Sequence, residues 1–380
     1  MANLHLSREV KVYLSFGSTI WEVPVLNGFS FSQASNTTDV TLAEFSDASN
    51  VSRRGKRTFT DSVAPAEFSF STYARPYTVD NAGVDVHHAV EEALWAMFAG
   101  IEATDYTSAA AGWADGITQI TTAAGDDIVG AKIDFNSSNK LVFPTGTIYF
   151  KFPGNAGQGT PVDLWYELGT AVLTEASMDF DIEGITTVSW SGQAQTLLEP
   201  ISPPDVSGAI ITGISDTNNF VRNRLTQLSI TPAPGQAGIS AASYSVVLTG
   251  GSVALTNEVS FVTPETLGIV NKPLAPVMGS RSISGSFTCY LDSSADSSGD
   301  LIEDLLLANT LVTNSFKLLF DVGGTGTSPA IRINMPQAML ELPTHSIEDV
   351  ISVEANFTAL PSDISDTDEL TITYVGATSQ

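Results

Sequence analysis

The sequence predicts a mainly β protein of two tandem β-sandwich or barrel-like domains, each with one flanking α-helix. Three observations carry that prediction. Charged residues make up only 15% of the 380, against about a quarter in ordinary chains, while Ser, Thr, Gly, Ala and Val are abundant. That composition favours strands and turns over solvent-exposed helices. Short segments alternate apolar and polar side chains with the period of two that a half-buried strand requires. The second half of the chain also echoes the first, element by element.

Taken in order, the opening stretch "MANLHLSREVKVYLSF" has no basic start followed by an apolar run and no cleavage site, so no secretory signal is expected. "EFSFSTY" at 67–73 predicts a strand with Phe68, Phe70 and Thr72 on one face and Ser69, Ser71 and Tyr73 on the other. "DVHHAVEEALWAMFAG" at 85–100 predicts a helix that carries Val86, Val90, Ala93, Leu94 and Met97 on one face, with Asp85 to cap it and Gly100 to stop it. Its apolar part is too short to cross a bilayer. An insertion at 103–139, rich in Ala, Gly, Thr and Asp, predicts a hairpin or a surface loop. Strand-like sequence follows at 140–152 and 171–192.

The echo begins at "SGSFTCY", 284–290, which aligns Phe287 with Phe70 and Tyr290 with Tyr73 and places Gly285, Phe287 and Cys289 on the apolar face. A second helix is predicted over 299–310, with Ile302, Leu305 and Leu306 on one face, then a strand over 315–324. "AMLELPTHSIEDVISVEANF" at 338–357 matches 171–192, so that Val353 aligns with Val188 and Ala355 with Trp190. Pro200, Pro203 and Pro204 mark the junction, since each removes a ladder donor. The reading is a first domain over 1–199, a linker over 200–219, a second domain over 220–363 and a C-terminal tail over 364–380.

Catalytic chemistry finds no support in the residues. Cys289 is the only cysteine, which excludes an internal disulfide and a cysteine-cluster metal site, and its alternation places it as a small buried hydrophobe. The histidines are His5, His87, His88 and His345, and no spacing among them suits a metal. Phosphate-cradling, zinc-hydrolase and serine-hydrolase motifs are absent. No catalytic residue, metal or cofactor is therefore expected, and the protein is read as not an enzyme. "MDFDIEG" at 178–184 begins like a calcium loop, but its twelfth position is Trp190 where a bidentate Glu is needed. Strand alternation accounts for it instead: Asp179, Asp181 and Glu183 share a wet face while Met178, Phe180 and Ile182 pack behind it.

The quoted segments reach a family. "NGFSFSQASNTTDVTLAEF", "SRRGKRTFTDSVAPAEFSFSTYARP" and above all "TNEVSFVTPETLG" at 256–268 with the following "GSRSISGSFTCYL" resemble the tail tube proteins of long-tailed bacteriophages. The resemblance spans about residues 10–199 and 220–360. It implies strands placed side by side to close a ring, and rings stacked into a hollow tube through which the genome leaves. Single-domain members form hexameric rings, so a duplicated chain implies a trimeric, pseudo-hexameric ring. Implied partners are further copies of itself, tape-measure, tail-tip and tail-terminator proteins, and genomic DNA in non-specific transit. The implied place is the virion tail, assembled in the bacterial host cytoplasm, with no membrane contact.

Charge agrees with that picture. A formal net charge of −26 opposes retention of DNA or RNA. Asp179, Asp181 and Glu183 are the first candidates for a channel wall, with Glu348 and Asp349 from the second copy. The scarce positive charge collects at Arg53, Arg54, Lys56 and Arg57, whereas the matching stretch 268–276 has only Lys272. These four are read as a ring-stacking or subunit contact, where complementary charge sets register and partner choice. Two other readings compete: a non-polymerising carbohydrate-binding or adhesive surface protein of tandem sandwiches, and a polysaccharide-degrading enzyme, which needs two opposed carboxylates in a pocket.

Overall fold

The computed structural model describes residues 5–40, 57–135, 144–154, 162–233, 239, 242–267, 269–308, 315–326, 328–346, 350–363 and 366–377. These build a mainly β molecule with large antiparallel sheets and two α-helices among the described residues. The first half contributes β1 (Lys11–Phe16), β2 (Thr19–Val23), β3 (Ser30–Val40), β4 (Arg57–Tyr73), β5 (Pro76–Asn81), β6 (Val84–Ala89) and α1 (Glu92–Ala99). Then come β7 (Tyr106–Ser108), β8 (Gly112–Trp113), β9 (Ile117–Ile120), β10 (Gly130–Asp134), β11 (Gly146–Phe152), β12 (Leu164–Phe180) and β13 (Thr187–Leu198). The second half adds β14 (Gln227–Pro232), β15 (Tyr244–Ser245), β16 (Leu248–Phe261), β17 (Pro276–Tyr290) and α2 (Ser298–Ala308). It closes with β18 (Phe316–Val322), β19 (Ala330–Leu340), β20 (Thr344–Ser346), β21 (Ser352–Ala359) and β22 (Thr371–Val375).

Each half lays its strands in the same order: β2, β1, β11, β12, β13, β4, β3 in the first and β15, β14, β18, β19, β21, β17, β16 in the second. The registers agree as well. Val12 lies opposite Phe150 and Leu14 opposite Ile148, as Leu228 lies opposite Phe320 and Ile230 opposite Leu318. β11 and β12 slip between Gly146 and Ile148, and β18 and β19 slip between Phe316 and Leu318. Beyond the slip, Ala171 faces Ala194 as Ala338 faces Ala359. Phe70 faces Trp190 and Thr72 faces Val188, as Phe287 faces Ala355 and Cys289 faces Val353. A shared bulge is specific, because such irregularities are retained features of a fold.

One position shows how the two halves keep a shape while changing residues. Phe68 lies opposite Gly192 in the first half, and Gly285 lies opposite Phe357 in the second. A Cβ on Gly192 would strike the Phe68 ring and the Val172 carbonyl, and one on Gly285 would strike the Phe357 ring and the Ser252 carbonyl. The ring and the space it fills have exchanged strands, which conserves volume in a close-packed layer.

Each sheet rolls on itself. Phe31 of β3 meets Phe150 of β11 with ring centroids 4.7 Å apart, and Phe320 of β18 meets Phe357 of β21 at 5.9 Å. α1 lies inside the first roll with Trp95 against Trp190 at 4.7 Å. Gly100 ends the helix in the left-handed conformation, φ 86°, as its sequence position predicts. The helix start differs from expectation, because residues 84–89 form a strand. Ala82 and Gly83 both take positive φ, the geometry of a two-residue hairpin turn, and the alternating Val84, Val86 and His88 then pair with β5. His87 and His88 therefore sit on a hairpin rather than on the helix.

All eight residues of α1 are buried, more than the single apolar face that the sequence predicts. The insertion supplies the cover: its β9 and β10 pair with each other, and Phe135 packs edge-on to Trp95 at 6.2 Å. Residues expected in the C-terminal tail complete the same layer. β22 is inserted between β10 and β19. Tyr374 accepts a hydrogen bond from Trp95 Nε1 at 2.6 Å and bonds to Glu91. Gly376 N donates to His87 Nδ1 at 3.0 Å, and buried His88 holds Glu92 at 2.7 Å.

Two predictions follow from these contacts. Gly285→Ala is expected to cost about 1–3 kcal/mol through overpacking against a ring and a backbone oxygen that cannot withdraw, read as a lower urea midpoint with an unchanged slope; an unaltered midpoint would refute the packing account. Burial pushes the Glu91 carboxyl up to about 7, against the hydrogen bonds from Tyr374 and the Arg75 amide and the Arg75 charge. The folded chain thus keeps a proton that the unfolded chain releases near the ordinary carboxyl pKa. Its stabilisation is full below that pKa and is lost as pH rises toward 7, by roughly 3 kcal/mol. Urea midpoints of the wild type should fall from pH 5 to 8 relative to Glu91→Gln, and parallel pH profiles would remove Glu91 from the account.

Candidate assembly edges and channel face

Besides the β10–β22 pairing, one ladder joins the repeated strands of the two halves. Residues 175–180 of β12 pair antiparallel with 251–256 of β16, with Glu175 opposite Thr256 and Phe180 opposite Gly251. The result is a continuous run of eight strands across both copies, β3, β4, β13, β12, β16, β17, β21 and β20.

Strand alternation divides this sheet by chemistry. Phe68, Phe70, Met178, Phe180, Val253, Leu255, Phe287 and Phe357 are buried on the core side. The opposite side carries hydroxyls that bond across strands, Ser30 with Ser69 at 2.9 Å, Ser71 with Ser189 at 3.1 Å and Ser252 with Ser286 at 3.5 Å. Among them stand the exposed carboxylates Glu67, Glu175, Asp179 and Glu354. Arg57 at the tip of β4 and Arg281 in β17 are the Lys and Arg residues of these eight strands among the described residues, with His345 in β20 beside them. Arg281 turns to the core side, donating to the Phe135 carbonyl at 2.7 Å and to Asn257 Oδ1 at 3.2 Å. Among the described residues the hydroxyl side is left acidic, with no Lys or Arg on it apart from the tip.

Of the residues expected on an acidic wall, Asp179 lies on this face opposite Ser252. Asp181 and Glu183 do not continue it, because β12 ends at Phe180. The Asp181 carboxylate accepts the Ile182 amide at 2.7 Å, Gly184 takes φ 117°, and the chain turns. Ile182 is consequently exposed rather than packed in the core, a correction to the strand reading of 178–184. Glu348 and Asp349 lie outside the described residues, as do Arg53, Arg54 and Lys56. Arg57 opens β4 with its guanidinium 5.2 Å from the Phe59 ring centroid. Sequence reasoning passed over Glu67, Glu175 and Glu354 on the hydroxyl face. The period-two pattern of 67–73 and 284–290 was the signal, since it puts Glu67 in line with Ser69 and Ser71.

Among the described residues the eight-stranded run stops at two unpaired edges, β3 on one side and β20 on the other. These edges are the repeat equivalents of the joined pair. Ser30 stands to Ser69 as Ser252 stands to Ser286, so β3 corresponds to β16. Ser177 stands to Ser189 as Thr344 stands to Glu354, so β20 corresponds to the last turn of β12. Val172, three residues ahead of the internal ladder, is 0% exposed, whereas its counterpart Met339 is 48% exposed.

The residues 271 and 61–63 show a further contact between halves. Asn271 N donates to the Asp61 carbonyl at 3.1 Å and the Asn271 carbonyl accepts the Val63 amide at 2.9 Å, so the β16–β17 hairpin loop reaches onto β4. Among the described residues no helix is long and apolar enough to cross a membrane. Comparison with known proteins places these features in context. No family model matches the chain. Over its entire length it is similar to the Tail tube protein pb6 of Escherichia phage T5, with 27% identity over 391 aligned residues that span 100% of this chain and 76% of pb6.

Proposed function

We propose that this chain is the structural subunit of a bacteriophage tail tube, in which three copies close a ring of six like domains and rings stack into a channel. The full-length relationship to a phage tail tube protein supports a structural role in the virion tail. One observation carries the ring: the chain contains one junction between equivalent strands of its repeat, β12 with β16, and the two edges left unpaired among the described residues are the halves of a second. The tandem duplication, with domains over 1–199 and 220–363, rests on the shared registers and bulge. Adding β20 of one chain to β3 of the next in the register of β12 with β16 sets Ser346 opposite Ser30 and His345 opposite Phe31. Repetition of one junction by one rotation closes a ring of six domains from three chains.

The hydroxyl face is the proposed channel wall. Duplex DNA carries about one negative charge per 1.7 Å of axis, so basic side chains would hold it by counterion release. A wall of hydroxyls with Glu67, Glu175, Asp179 and Glu354 offers hydration and repulsion instead, and lets the genome slide out. The segment with Arg53, Arg54, Lys56 and Arg57 precedes β4 where Val270 and Asn271 precede β17. By the repeat, it reaches residues 278–280 of a neighbouring chain, beside Glu258, whose carboxylate takes the Ser280 hydroxyl at 3.2 Å. Opposite charge there fixes which hairpin meets which strand. Assembly in the host cytoplasm with tape-measure, tail-tip and terminator proteins completes the reading.

Two experiments test it. Met339→Asp changes an exposed side chain, so its unfolding free energy should stay within about 0.5 kcal/mol of the wild type while electron micrographs lose rings and tubes; tubes of normal abundance would refute edge-to-edge closure. Replacing Glu67, Glu175, Asp179 and Glu354 together by Lys should leave tubes that retain duplex DNA, with retention falling as salt rises. Equal DNA passage through both tubes would mean that this face does not line the channel.

A further inference from the structure

The repeat leaves one end of the second half uncovered, and the first half shows what covers it. There the run-in to β14 lies across the turn after β12. Thr186 N donates to the Val221 carbonyl at 2.9 Å, Asn223 N donates to the Gly184 carbonyl at 3.2 Å, and Ile185 forms an antiparallel bridge with Arg222. Phe220 packs edge-on to Tyr73 at 5.4 Å. Arg75 holds the segment upstream, donating to the carbonyls of Gly213, Ile214 and Asp216 at 3.0, 2.7 and 2.9 Å. Ala74, Thr186 and Val221 are fully buried as a result.

The second half builds the same end and leaves it open. Leu291 N donates to the Ile351 carbonyl at 3.0 Å, as Ala74 N donates to the Thr186 carbonyl at 3.0 Å. Yet Leu291 and Ile351 are each 39% exposed where Ala74 and Thr186 are fully buried, Val350 is 59% exposed against 38% for Ile185, and Tyr290 is 41% exposed where Tyr73 is half-buried. Four apolar or aromatic side chains gathered on one strand end form a surface made for a partner.

The partner follows from the repeat. The segment that covers the first half is the run-in to β14, and the corresponding run-in leads to β1. Both contain a single 3-10 turn four residues ahead of the strand, Ser7–Glu9 and Asn223–Leu225. Val10 N donates to the Ser7 carbonyl at 3.3 Å as Thr226 N donates to that of Asn223 at 2.9 Å. His5, the counterpart of Val221, reaches the Pro153 carbonyl at 3.0 Å, and Val221 in turn lies against Gly323, the counterpart of Pro153. We propose that the run-in to β1, through His5 and Leu6, crosses onto Val350 and Ile351 of the neighbouring chain. Leu6 bridges Val350 as Arg222 bridges Ile185, and Ile351 N donates to the His5 carbonyl. The linker between the halves and the segment ahead of β1 are then one device, used once within each chain and once between chains. This inference rests on the ring proposed above.

Disulfide trapping in assembled tubes tests it and separates it from the ring itself. Opposed residues of an antiparallel bridge have Cα atoms about 4.5–5.5 Å apart, within the span of a disulfide, about 4.4–6.8 Å. One variant carries Leu6→Cys with Val350→Cys and reads the clasp. The other carries Ser30→Cys with Ser346→Cys and reads the strand junction. Cys289 is buried and stays out of the exchange. Mild oxidation is expected to convert both variants into covalent dimers and closed trimers on a non-reducing denaturing gel. Cross-linking of the Ser30 and Ser346 variant alone overturns the clasp and leaves the ring. Monomers in both overturn the ring and the clasp together.

Discussion

The molecule depends on one ladder, the antiparallel pairing of residues 175–180 with 251–256. Without it, β16 and the end of β12 would be two open edges, each a template for indiscriminate pairing. With it, two rolled sheets become one continuous surface in a single register. A slip of one residue would put Met178 and Phe180 in water and Asp179 in the core, so the buried face holds the ladder in place. The same alternation that fixes the register brings Asp179 beside Ser252, so the polarity of the outer face continues across the junction.

The two faces of this sheet answer to different demands. The core side tolerates exchange as long as volume is kept, as the swapped pairs Phe68 with Gly192 and Gly285 with Phe357 show. The other side has few apolar groups to pack and is held across its strands by hydroxyl pairs. Its carboxylates carry like charge, which works against the sheet wherever they lie close together. The insertion and β22 do a third task. They seal α1 from solvent, and burial at its start pushes the Glu91 carboxyl up to about 7.

Much of this was legible in local patterns. The alternation of Phe68, Phe70 and Thr72, and of Phe287 and Cys289, places them in the core, where they lie. The alignment of Val188 with Val353 and Trp190 with Ala355 is met residue for residue in the pairings with β4 and β17. Other features escaped because local patterns are ambiguous. Residues 85–89 suit one face of a helix, yet the turn at Ala82 and Gly83 makes them a strand. Residues 178–184 alternate as a strand would, yet the Asp181 carboxylate captures the next amide and ends it.

The class of fold, the echo between the halves and the acidity of one strand face are legible along the chain, because alternation, spacing and charge are properties of sequence neighbours. Tertiary packing is what pairs β12 with β16, closes β22 over the insertion, and leaves Met339 and Ile351 bare where Val172 and Thr186 are buried. Those outcomes depend on which of many polar edges come together. Backbone donors and acceptors are the same in every strand, so the choice is made by the shape of the assembled layers and not by any residue read alone.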